Sequence, residues 1–131
     1  MREMDENEAF KAGLAMRKQV LGEDYVNASL ANADEFMRPL QQYLTEHAWG
    51  YAWVRDGLPL KTRSMLNLAM LVALNRPNEL KLHIKGAINN GVTPQEMQEI
   101  FLQCGVYCGA PAALDAFKTA QQVFKEQAAK A

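Results

Sequence analysis

The 131-residue sequence predicts an all-α, single-domain helical bundle of about six helices over residues 1–131. Apolar residues recur at the three- and four-residue intervals that mark one face of a helix. No segment carries a strand signal, and no repeat, low-complexity tract or Gly/Pro/Ser-rich linker divides the chain. Helix punctuation is explicit at Thr93-Pro94-Gln95-Glu96: Thr93 can cap, Pro94 suits the first helical position, and Glu96 can reach back to complete a capping box.

The elements follow in order. A first helix is expected over Glu6 to Leu21, with Phe10, Leu14 and Leu21 on one stripe and Gly22 ending it. A second starts near Asn32 to Asp34, whose short polar side chains can cap a first turn, and runs through Phe36, Leu40 and Leu44 toward His47, with Pro39 tolerated near its start. Gly50 to Lys61, containing Gly57 and Pro59, reads as the longest irregular stretch and as a loop with functional contacts. The third helix, Leu60 to Leu74, is apolar almost all round after Ser64, so it should be buried on several sides, with a subunit interface as the natural cover. A fourth spans Asn78 to Asn90 and stops at Gly91. Helix five follows the capping box through Met97, Ile100, Phe101 and Cys104. Gly109-Ala110-Pro111 breaks or kinks the chain before a last helix with Leu114, Phe117 and Phe124, whose end, Gln127 to Ala131, should fray.

Composition narrows the function classes. With 49% hydrophobic and 22% charged residues the chain has the balance of a folded globular protein, not of a disordered one. A formal net charge of -1 gives no sequence-wide attraction to nucleic acid or an anionic membrane. No apolar run reaches the roughly 18 residues of a membrane span, and the acidic, polar start Met1 to Glu6 does not suit a secretory signal, so a cytoplasmic location is expected. Two cysteines are too few for a disulfide framework.

Candidate chemistry centres on the two histidines, because imidazole changes charge near neutral pH and serves as a general acid or base. His83 lies one turn after Glu79, so the carboxylate could orient the ring or hold it protonated. Arg63, Arg76, Lys81 and Lys85 form a basic rim suited to a small carboxylated substrate. His47, Glu79 and His83 have the ligand types for zinc but not the spacing of a zinc site, so no metal is expected. Cys104 and Cys108, four apart on a helix, are either two small buried hydrophobes or a pair able to approach disulfide distance; no CxxC motif occurs.

The ordered set His47-Ala48-Trp49-Gly50, Arg63-Ser64, Glu79-Leu80-Lys81-Leu82-His83, Asn89-Asn90-Gly91-Val92 and Tyr107-Cys108-Gly109-Ala110-Pro111 resembles the carboxymuconolactone decarboxylase family over nearly the whole chain. The resemblance implies the alkylhydroperoxidase D-like all-helical fold, assembled as homo-oligomeric trimers or hexamers through apolar helices. It also implies cofactor-free conversion of 4-carboxymuconolactone to 3-oxoadipate enol-lactone and carbon dioxide in protocatechuate breakdown. On that basis His83, Glu79 and Arg63 are the expected catalytic residues, and His47, Trp49 and Arg76 the expected substrate-binding residues. The peroxidase relatives carry a glutamate, a CxxC pair and then a histidine; aligned on His83, this chain has Ser64, Arg76 and Glu79 at those three redox positions. The alternatives are therefore a peroxide reductase that has moved its thiols to Cys104 and Cys108, or an oligomeric binding protein without catalysis.

Overall fold

The computed structural model describes residues 4–130, so the acidic start expected to exclude a secretory signal lies partly outside the described residues, as does Ala131. Among the described residues there is no strand, and the all-α expectation holds. Seven α-helices and one π-helix appear among them, more than the six expected. They group into two compact units, Met1–Pro59 and Leu60–Ala131.

In the first unit, α1 (Glu8–Leu21) starts where the Asn7 side chain accepts a hydrogen bond of 2.9 Å from the Phe10 N–H. It ends at Gly22, whose φ of 95° few residues but glycine adopt. Its buried face is Phe10, Gly13, Arg17, Val20 and Leu21, so an arginine holds the middle of the stripe and Leu14 is only half-buried. A helix that the sequence did not announce, α2 (Glu23–Ala31), follows at once, burying Val26 alone. The second expected helix begins later than expected, as α3 (Arg38–Tyr43), after the Asp34 side chain has accepted the Met37 N–H at 2.9 Å.

The largest difference from expectation comes next. Leu44–Trp53 is a π-helix, so the helical path continues through Gly50 and the irregular segment shrinks to residues 54–59. Gln41, Thr45, Trp49 and Trp53 are buried at a strict spacing of four, wider than the 3.6 residues of an α-helical turn. Gly50 is not a breaker here but a crossing point. A Cβ on Gly50 would overlap the Ala9 carbonyl oxygen, and one on Gly13 would overlap the Thr45 carbonyl oxygen.

The second unit holds α4 (Leu60–Ala73), α5 (Pro77–Asn89), α6 (Pro94–Cys108) and α7 (Ala110–Lys130). Its core includes Leu68, Val72, Leu80, Ile84, Met97 and Phe101, all under a tenth exposed. The capping box forms as expected, with Glu96 Oε1 accepting the Thr93 N–H at 2.9 Å and Thr93 Oγ1 accepting the Glu96 N–H at 3.1 Å. Lys61 then reaches Glu96 at 2.9 Å and ties the start of α4 to that of α6. The break falls at Gly109, φ 101°, and α7 is helical through Lys130, the last described residue. The third helix is expected to be buried on several sides with a subunit interface as cover, and this chain's own packing covers one of those sides. Within this chain α4 buries Ser64, Leu68 and Val72, while Leu66, Met70 and Leu74 stand about half exposed or more. Its other face is open. No helix among the described residues is long and apolar enough to cross a membrane.

Candidate active site

In the second unit α4 and α5 bring polar side chains together between apolar layers. His83 projects from α5 next to Leu80, Ile84 and Ala87 of the core face, and only 8% of it is exposed. Its Nδ1 lies 3.3 Å from Asn67 Nδ2 on α4. Its Nε2 faces Glu79 Oε2, one turn earlier on α5, at 3.9 Å. Burial lowers the imidazole pKa from 6.5 to about 4, because the charged ring would lose its hydration. The Glu79 side chain, 60% exposed, does not offset that loss. Of the two expected roles of Glu79, its proximity suits orienting the ring, while burial favours the neutral imidazole over the protonated one.

Arg63 sits half-buried one turn before Asn67 on α4, and hence on the same face. Ser64, next to it and 1% exposed, accepts a 2.9 Å hydrogen bond from Asn90 Nδ2, which also reaches the Leu60 carbonyl at 3.5 Å. Asn90 is therefore more than a helix stop; it fastens the end of α5 to the first turn of α4. Asn67 escaped the sequence reading. Its one signal was an amide in the apolar run from Met65 to Leu74, one turn after an arginine.

The basic rim is thinner than its composition suggests. Lys81 and Lys85 both engage Glu126 of α7, at 2.9 and 4.0 Å, and Lys81 in particular keeps that carboxyl below its usual range. Arg76 is exposed at the N-cap of α5, with Nη1 3.4 Å from the Asn75 carbonyl. Cys104 and Cys108 line an apolar depression of about 530 Å³ with Met65, Ala69, Met70 and Tyr107. Burial pushes the Cys104 thiol up, away from the thiolate that peroxide chemistry requires.

The first unit carries the other two expected residues in different settings. Trp49 is buried and stacked on Trp53, ring centroids 4.9 Å apart, so it belongs to the packing of the π-helix. His47 is exposed beside Glu46, at 3.8 Å, and its ring leans on Tyr43. These three residues, with Arg38, Pro39 and Gln42, border a cavity of about 370 Å³. The Gln42 and Asn7 amides, both donating to Glu46 Oε1, hold that carboxyl below its usual range, with His47 adding less. Among the described residues no three His, Cys, Asp or Glu side chains gather as a metal-binding group.

Such a site, a buried imidazole between an amide and a carboxylate in an all-helical chain, has the residue types of acid–base chemistry in a largely dry setting. The comparisons give it a family. The model of the carboxymuconolactone decarboxylase family matches residues 38–122. The chain is 43% identical over 123 residues to the 4-carboxymuconolactone decarboxylase of Acinetobacter baylyi, covering 94% of this chain and 92% of that protein. It is 44% identical over 121 residues to the nitrosuccinic acid decarboxylase npaB of Metarhizium robertsii, covering 92% of this chain and 85% of that protein. This chain belongs to the carboxymuconolactone decarboxylase family.

Proposed function

We propose that this chain is a carboxy-lyase that converts 4-carboxymuconolactone to 3-oxoadipate enol-lactone and carbon dioxide without a cofactor, in the breakdown of protocatechuate. The observation that carries the reading is the His83 site in a chain 43% identical, over 94% of its length, to a 4-carboxymuconolactone decarboxylase. Departure of carbon dioxide from the γ carbon leaves an electron pair that spreads through the ring double bond onto the lactone carbonyl oxygen. The resulting dienolate must be stabilised and then protonated at the α carbon.

His83 supplies the proton in this reading. The free site holds the ring neutral, but a doubly charged substrate beside it favours the imidazolium. The ring then takes a proton through the Glu79 side and passes it to the α carbon as the dienolate forms. Arg63 anchors a carboxylate or steadies the dienolate oxygen, since a cation aimed at developing charge in a dry site contributes several kcal/mol. His47 and Arg76 are each kept as substrate-binding residues in this reading, with Trp49 acting through the packing of the π-helix that carries His47.

The 44% identity to a nitrosuccinic acid decarboxylase supports a second substrate of the same logic. Nitrosuccinic acid also carries two carboxyls, and loss of the one beside the nitro group leaves electrons that drain onto the nitro oxygens. A site built to hold one carboxylate and disperse the charge left by the other suits both acids. The exposed apolar residues Leu66 and Met70 of α4, Leu74 just beyond it, and Leu102, Val106 and Tyr107 of α6 support assembly into a homo-oligomer, trimer or hexamer, because large exposed apolar surface marks an interface. A cytoplasmic location is part of this reading.

The test is the loss of ultraviolet absorbance when chelator-treated protein meets freshly generated 4-carboxymuconolactone, with nitrosuccinic acid run in parallel. Rapid loss with the lactone is expected. A folded, assembled sample that turns over only nitrosuccinic acid would overturn the lactone assignment, and turnover of neither would overturn the decarboxylase reading.

A further inference from the structure

We propose that Asn67 is a positioning residue that dictates which ring nitrogen of His83 carries the proton, so that the neutral ring presents an Nε2–H, not a lone pair, to the ligand side of the site. The inference begins with the amide of Asn67, whose nitrogen stands 3.3 Å from His83 Nδ1. An amide nitrogen has hydrogens and no lone pair to offer, so it can only donate; Nδ1 must accept, and a neutral ring accepting at Nδ1 has its single proton on Nε2. The other end of the ring argues the same way from a separate contact. Nε2 faces the Glu79 carboxylate at 3.9 Å, where an N–H is attracted and a lone pair repelled.

Both constraints come from helices that are already fixed. Asn67 stands on α4 between buried Ser64 and Leu68, and Asn90 holds the first turn of α4 to the end of α5 through Ser64. The amide therefore meets the ring at a set height, and a ring in which only one tautomer is stabilised loses less free energy when a ligand arrives. An Nε2–H can donate to a carboxylate or to an oxygen gaining negative charge. An Nδ1–H tautomer in the same place would turn a lone pair toward an anion. The consequence for turnover rests on the reading of His83 as the proton-transfer residue; the tautomer itself does not.

The experiment is long-range proton–nitrogen correlation of the histidine rings in the intact ¹⁵N-labelled protein at neutral pH. The chain has only two histidines, and a His47→Gln sample assigns the signals. For His83, a pyrrole-type Nε2 and a pyridine-type Nδ1 are expected. The Asn67→Asp variant, whose carboxylate can only accept, should turn Nδ1 pyrrole-type and lower kcat at least about tenfold with a smaller change in KM. A pyrrole-type Nδ1 in the unmodified protein would overturn the proposal without any variant, which keeps it testable should Asn67→Asp fail to fold. A pyridine-type Nδ1 retained in folded Asn67→Asp would overturn it too. Full turnover by a His83→Ala variant, alongside the expected nitrogen signals, would instead remove His83 from the chemistry and leave the role of Asn67 standing.

Discussion

The two histidines of this chain occupy helices of different kinds and surroundings of opposite kinds. His83 lies on a regular α-helix with 92% of its surface withdrawn from water, held by an amide at one nitrogen and facing a carboxylate at the other. His47 lies on a π-helix with its side chain 62% exposed, beside a glutamate already occupied by two amides. Residue type is the same in both places. What differs is how much water each ring has lost, and only the His83 ring stands in surroundings dry enough to strengthen its interaction with a nearby charge.

The sharpest contrast is in the pH dependence of stability. In the unfolded chain His83 titrates near its ordinary value of 6.5, and in the folded chain at about 4. Above 6.5 the ring is neutral in both states and its contribution is intact. As the pH falls from 6.5 toward 4 the unfolded chain takes up a proton that the folded one refuses, so stability is lost until the folded ring also titrates. The full loss is about 3 kcal/mol. Urea unfolding between pH 7 and 4 should show this fall, and a His83→Leu variant should flatten it; an equal fall in that variant would show that burial of this ring is not its source.

Turnover should separate the two rings almost as strongly. His83→Ala is expected to lower kcat at least about a hundredfold, as loss of a general acid does, whereas His47→Gln should raise KM by roughly threefold to tenfold and leave kcat nearly unchanged, as loss of a binding contact does. A KM effect at His83 and a kcat effect at His47 would reverse the comparison. Next in size is the fastening between α4 and α5. Asn90→Ala leaves buried Ser64 without that donor and should cost about 1 to 2 kcal/mol by denaturant unfolding. The smallest effect belongs to the thiols: Cys108→Ser should leave lactone turnover unchanged, and peroxide consumption by the protein that vanishes in this variant would revive the peroxide reading.

Much of this arrangement was legible in the sequence where one residue does one local job. Thr93, Pro94 and Glu96 announced the start of α6, and Gly22 and Gly109 announced stops because each takes a φ that side chains resist. The Glu79–His83 pairing followed from a four-residue spacing alone. Features that depend on a second segment were hidden. Gly50 read as a breaker because glycine weakens helices, yet it serves there as the surface against which Ala9 of α1 rests. Asn67 carried no weight until α4 lay beside α5, and the neutral state of His83 came from burial, which spacing does not report. The short α2 was missed because it buries one side chain and so has almost no stripe to read.

The crossing of α1 with the π-helix at Gly13 and Gly50 bears on how the first unit breathes. Where two backbones touch without side chains between them, no water molecule fits, and the amides on either side cannot exchange their hydrogens until the helices part as bodies. The main chain near residue 13 and near residue 50 should therefore be the slowest in this unit to take up deuterium, and the two patches should do so at one shared rate.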